Sequence, residues 1–128
     1  MGVTAMNKEV KAKWIEALCS GKYKQTEGQL RDNGGFCCLG VLCDISGLDE
    51  WKTLGGNKLD IYMGESGELP SAVTEWAGFR DDGDGDDVLD DGYDPYISAL
   101  DVSLAGLNDE GRDFESIAKI IEEYIEAK

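Results

Sequence analysis

Cys37, Cys38 and Cys43 fall within seven residues, in the stretch GFCCLGVLCD, and the chain contains no histidine. Sulfur at that density raises three chemistries: a structural metal, a redox site and a nucleophile. A structural zinc takes four ligands, which without imidazole would have to be Cys19, Cys37, Cys38 and Cys43 together. Neighbouring residues on a helix point roughly 100° apart, so Cys37 and Cys38 do not converge on one ion. The spaced C-x2-C pair of tetrahedral sites is missing as well. A reactive thiolate wants an adjacent base, and the usual one is absent from the whole chain. Free cysteine otherwise behaves as a small hydrophobe, so the four thiols are expected to fill the core, with no metal and no cofactor.

The second candidate is the run DDGDGDDVLDDGYD, residues 81–94, with eight aspartates in fourteen positions. An EF-hand loop starting at Asp82 would put oxygen ligands at Asp82, Asp84 and Asp86. Its sixth position is then Asp87 where glycine is needed, and its twelfth is Tyr93 where a bidentate glutamate is needed. Loose calcium binding at Asp82, Asp84 and Asp86 is an alternative; a solvated, flexible acidic loop is the expectation. With 27 acidic residues, close carboxylate pairs arise by chance and single out no catalytic dyad. Neither a Walker loop, a G-x-G-x-x-G, an H-E-x-x-H nor a nucleophile elbow occurs, so a non-enzymatic role is expected.

Charge narrows the partners. The net charge of −15 arises wholly in residues 65–128, which carry 19 acidic and 4 basic side chains, while residues 1–64 carry 8 of each. Nucleic-acid affinity comes from Lys and Arg contacts that release counterions, so direct nucleic-acid binding is not expected of the C-terminal half. A cationic partner fits better. The apolar runs are only a few residues long against the roughly 20 needed to span a bilayer, and Met1 to Lys13 lacks the apolar centre of a secretory signal. A soluble, cytoplasmic protein is expected.

These residues must be positioned by a small body. At 128 residues the chain suits one domain, residues 1–128. Asn7 can cap a helix whose stripe is Val10, Trp14, Ala17 and Leu18, closed by Gly21. Tyr23 to Leu30 reads as a short extended arm before the turn residues Asp32-Asn33-Gly34-Gly35. Phe36 to Ile45 is apolar on nearly every side and is read as a buried helix, although Gly40 costs about 1 kcal/mol relative to alanine there. Lys58 to Met63 is a candidate strand. Pro70, as the first helical residue, opens a short helix ending at Gly78. Ser103 caps another through Leu107, and Asp113 caps the last, with Phe114, Ile117, Ala118, Ile121, Tyr124 and Ile125 on one stripe and Glu115, Glu122, Glu123 and Glu126 toward water. The last two helices have helix-turn-helix rhythm, but those glutamates would be repelled by phosphates, so helix packing is the reading. The fold expected is α+β: a single small domain of about four helices with a small, irregular antiparallel sheet or hairpins.

The stretches WIEALCSGKYKQTEGQLRDNGGFCCLGVLCD, LPSAVTEWAGF and SLAGLNDEGRDFESIAKIIEEYI resemble a family of small uncharacterised proteins of tailed bacteriophages and prophages that carry the FCCLGVLCD block. The resemblance covers most of the chain; the acidic run 81–94 has no counterpart in it. It implies a phage origin and the bacterial host cytoplasm as workplace. By analogy with small phage accessory proteins, it also points to binding that counteracts a host defence by sequestering a host protein or a small ligand. Tyr23, Gln25, Arg31, Asn108 and Asp109, polar residues in or beside turns within the matched stretches, are the candidate ligand-binding set. Gln25, Asn108 and Asp109 could instead only bond backbone groups at turns and caps. The alternative of another class is an acidic nucleic-acid mimic whose second half occupies a basic groove of a host DNA-binding protein.

Overall fold

The computed structural model describes residues 2–55, 59–81 and 93–128. Among the described residues five helices carry the body: α1 (Lys8–Cys19), α2 (Cys38–Ser46), α3 (Ser71–Ala77), α4 (Leu104–Asp109) and α5 (Phe114–Tyr124). Short strands fasten them: β1 (Val3–Met6), β2 (Lys24–Gln25), β3 (Arg31–Asp32), β4 (Gly35–Phe36), β5 (Lys52–Leu54), β6 (Leu59–Ile61), β7 (Arg80–Asp81), β8 (Tyr96–Ile97), β9 (Val102–Ser103) and β10 (Glu126–Ala127). This is a single small α+β domain, as expected.

Capping sets the helix starts. Asn7, Ser103 and Asp113 each accept a backbone N–H three residues on, at 3.0, 3.0 and 2.8 Å. Each such cap stabilises its helix by about 1 kcal/mol. Cys37 does the same for α2 with sulfur, its Sγ accepting from Gly40 N at 3.4 Å. Pro70 stands as the N-cap of α3, one position earlier than the first-turn place expected, with extended backbone at ψ 152°. Gly47 and Gly78 end α2 and α3 in the left-handed conformation, which glycine adopts at no steric cost.

Helix α2 lies at the centre, packed by α1, α3 and α4. Every residue from Cys38 to Cys43 is buried, which is why its sequence shows no polar face. Helices α1 and α5 pack face to face, α1 presenting Val10, Trp14 and Leu18, and α5 presenting Phe114, Ile117, Ala118 and Ile121. The expected α1 stripe is adjusted: Ala17 is half-buried while Lys11 is buried. The Lys11 ammonium reaches the α5 carbonyl of Glu122 at 3.2 Å, where the negative end of that helix favours a cation. Trp14 donates its indole N–H to Cys38 O at 2.9 Å, joining α1 to α2.

The strands form four small ladders rather than one sheet, in orders β10-β1-β7, β2-β4-β3, β5-β6 and β8-β9. Antiparallel pairing was expected throughout; β1 with β10 and β2 with β4 are parallel. In both cases the chain leaves the first strand and returns through intervening structure to run the same way, which a tight hairpin cannot do. Two-residue strands carry too little alternation to be seen in sequence, and nothing in it predicts β1, β5, β7, β8, β9 or β10. The acidic run expected to be a flexible loop, 81–94, lies outside the described residues from 82 to 92.

One glycine fixes how close α2 comes to its neighbour. A Cβ on Gly40 would overlap the carbonyl oxygen of Leu30, which already accepts from Cys37 N at 3.0 Å. Alanine at 40 would gain about 1 kcal/mol in helix propensity and lose more by forcing backbone apart. Gly40→Ala is expected to cost about 3 kcal/mol in chemical denaturation, while Gly55→Ala, with open space around its Cβ, leaves the midpoint unchanged.

Candidate functional site

The five candidate residues separate into two groups. Gln25, Asn108 and Asp109 come together. Asn108, at the end of α4, is fully buried. Its Oδ1 accepts from Gln25 Nε2 at 2.9 Å and from Cys38 N at 3.3 Å, and its Nδ2 donates to Thr26 O at 2.7 Å. Gln25 also donates to Arg112 O at 2.6 Å, and Asp109 Oδ1 accepts from Gly28 N at 2.8 Å. These amides and this carboxylate therefore tie the β2 arm to α4 and to the start of α2. Buried polar groups are stable only when so paired. Of the three, Gln25 borders a shallow surface depression, with Thr26, Glu27 and Gly111.

Tyr23 and Arg31 belong to a second group, built around Trp51. Tyr23, Phe36, Trp51 and Tyr62 form a chain of ring contacts with centroid separations of 5.0, 5.7 and 5.0 Å. Edge-to-face aromatic pairs contribute about 0.5–1.5 kcal/mol each beyond their burial. Asp44, at the end of α2, accepts from the Tyr23 hydroxyl at 2.6 Å and from the Trp51 indole N–H at 3.1 Å. The Tyr62 hydroxyl accepts from Asp49 N at 2.7 Å. Arg31 lays its guanidinium over the Trp51 ring, 4.7 Å from the centroid, and donates from Nε to Asp60 Oδ2 at 3.1 Å. Thr53 donates to the other oxygen of Asp60 at 2.6 Å. Tyr23 also borders a second depression with Lys13, Lys22 and Ile45. Tyr23 and Gln25 thus border different depressions.

Electrostatics follow this geometry. Burial, the hydrogen bond to Asp44 and that carboxylate's charge hold the Tyr23 phenol well above its usual range. The Arg31 hydrogen bond lowers Asp60 despite partial burial, with Thr53 adding to the effect. Burial raises Asp94, whose Oδ1 accepts from Ala105 N at 3.1 Å at the start of α4.

Of the cysteines, Cys37, Cys38 and Cys43 are buried as expected. Burial pushes the Cys37 thiol up to about 11 and raises Cys38 and Cys43 further, so none offers a thiolate at neutral pH. Cys38 instead donates its S–H to Leu104 O at 3.4 Å. Cys19 departs from the expectation: it is exposed, because one residue beyond the buried Leu18 turns the side chain about 100° around α1, off the packed stripe. No group of three or more metal-ligating side chains occurs among the described residues. The alternative calcium ligands Asp82, Asp84 and Asp86 lie outside them. No helix is long and apolar enough to cross a membrane among the described residues.

The residues that sequence reasoning missed are Asp44, Trp51, Asp60 and Tyr62. The available signal was a tryptophan set in a glycine-rich, turn-forming region, where an isolated large ring needs a partner.

A family model described as a domain of unknown function, DUF8296, matches residues 6–125. The chain belongs to this family. The matched span takes in every residue of both groups. No curated protein and no solved structure matches the chain.

Two measurements check this description of the DUF8296 chain. Under native conditions an aromatic disulfide reagent is expected to modify Cys19 rapidly and the other three thiols only on unfolding; fast reaction of two or more would contradict the packing. Asp60 is lowered in the folded state, so the stability it adds is fully present above its ordinary value of 3.8 and is lost as pH falls through the depressed folded value. Arg31→Met should remove that share of the acid sensitivity, so that the unfolding free energy lost between pH 5 and pH 2 is smaller by about 1 kcal/mol in chemical denaturation.

Proposed function

We propose that this chain works by holding a macromolecular partner, with the contact surface around Trp51 and the β5–β6 hairpin. One observation carries the reading. Among the described residues, three of the four large apolar side chains most exposed to water, Leu48 at 44 %, Leu54 at 52 % and Met63 at 40 %, fall within residues 48–63, the segment that also presents the half-buried Trp51. Contact energy at protein interfaces concentrates on tryptophan, tyrosine and arginine held rigidly amid apolar neighbours, and Arg31 and Tyr23 supply the other two here. Their polar atoms are engaged internally, which orders the ring surface before any partner arrives and lowers the entropy cost of binding. Chemistry at sulfur has no support in the buried thiols.

The resemblance to phage proteins makes a bacterial host protein the partner we favour, and counteraction of a host defence its purpose, in the host cytoplasm. A second reading is occupation of a basic groove. Glu115, Glu122, Glu123 and Glu126 are all exposed on or just past α5, beside the single cation Lys119. These carboxylates would steer a basic partner over distance.

Capture from a bacterial lysate separates the two. The native chain is expected to enrich a host protein that the variant Leu48→Ser, Leu54→Ser, Met63→Ser loses, with melting unchanged because the replaced side chains are exposed. Equal capture by both chains would sink the apolar-surface reading. Loss of capture at low salt on replacing the four glutamates with glutamine, with the apolar variant unaffected, would establish the groove reading instead.

A further inference from the structure

Strand β5 has a feature the proposed surface does not use. Its residues Lys52, Thr53 and Leu54 are all exposed, and they pair on one side only, with Ile61, Asp60 and Leu59 of β6. On the far side of β6 lies β3, joined through Arg31 and Asp60. Along an antiparallel strand, alternate residues direct N–H and C=O away from the partner strand. Among the described residues no backbone hydrogen bond reaches that outer edge of β5. Native proteins commonly shield such edges, because they template pairing with another chain. Among the described residues the edge is left open beside Trp51 and the exposed Leu54.

We propose that the outer edge of β5 receives an extended segment of the partner that carries lysine or arginine, added as a third strand to β5–β6. This rests on the reading of that region as the contact surface and names how the partner is held. The backbone edge selects an extended occupant. Charge selects its sign: Asp49 and Glu50, both exposed, lead into β5 and outnumber Lys52 on the strand. The chain's net charge of −15 repels a second copy of it, and Lys52 on the open strand is the kind of residue that blunts indiscriminate pairing. Lys52 also lies on the edge itself and opposes a cationic occupant locally. Replacing it should therefore help the proposed partner.

The probe is a pair of synthetic ten-residue peptides of alternating valine and threonine, one with three lysines and one with three glutamates, titrated into the full chain while amide hydrogen exchange is followed. The lysine peptide is expected to slow exchange of β5 amides at least tenfold, leaving β6 amides unchanged. It should weaken with salt and tighten about threefold with Lys52→Glu. The glutamate peptide should do none of this. Unprotected β5 amides at millimolar lysine peptide, or equal protection by both peptides, would overturn the proposal. The two readings fail separately. If lysate capture is lost with the apolar variant while β5 amides stay unprotected, the contact surface stands and strand addition falls. If the apolar variant captures as the native chain does, the surface itself is wrong.

Discussion

The side-chain amide of Asn108 is where the fold is tied. Buried at the end of α4, it holds Gln25 and the Cys38 amide with its oxygen and the Thr26 carbonyl with its nitrogen, so one side chain sets the distance between the β2 arm, the start of α2 and α4. Asn108 itself has no water to turn to, whereas Gln25 and Thr26 are half-buried. An unpaired buried donor or acceptor costs about 1–3 kcal/mol, so losing the amide would strand several partners at once. Around this tie, α2 can be apolar on all sides, because its polar backbone end is satisfied by Asn108 and by the Cys37 sulfur.

The two polar groups differ in consequence. The Asn108 group faces inward and closes the chain on itself; the Trp51 group reaches the surface and stays rigid there. Asp44 links the inner body to the outer rings, standing at the end of α2 and holding both Tyr23 and Trp51. Tyr23, Phe36 and Trp51 are half-buried there, while Tyr62 is fully buried.

Much of the body was legible because its signals are local. Asn7, Ser103 and Asp113 stand at helix starts with side-chain oxygens ready to cap, and Gly47 and Gly78 stand where helices must stop. The stripe of α5 repeats often enough to fix which face is buried. What stayed hidden depends on pairings far apart in sequence. The amide of Asn108 meets Gln25 across 83 residues, and no pattern in either neighbourhood distinguishes a tie of this kind from a ligand contact. The parallel pairings of two-residue strands have no period to detect. Cys19 differs from the buried thiols by helix rotation alone, which composition does not reveal.

Strand β1 sits between β10 and β7, pairing Ala5 with Glu126 on one side and with Arg80 on the other. Its two ladders therefore join portions of the chain that leave the ribosome at widely separated times. Residues 3–6 must wait, unpaired on one flank, until residue 126 has been synthesised and has cleared the exit tunnel. Contacts of such long sequence separation form late and slow the final step of folding. A chain without β10 would therefore keep an open flank on β1, an unpaired edge of the kind that favours mispairing.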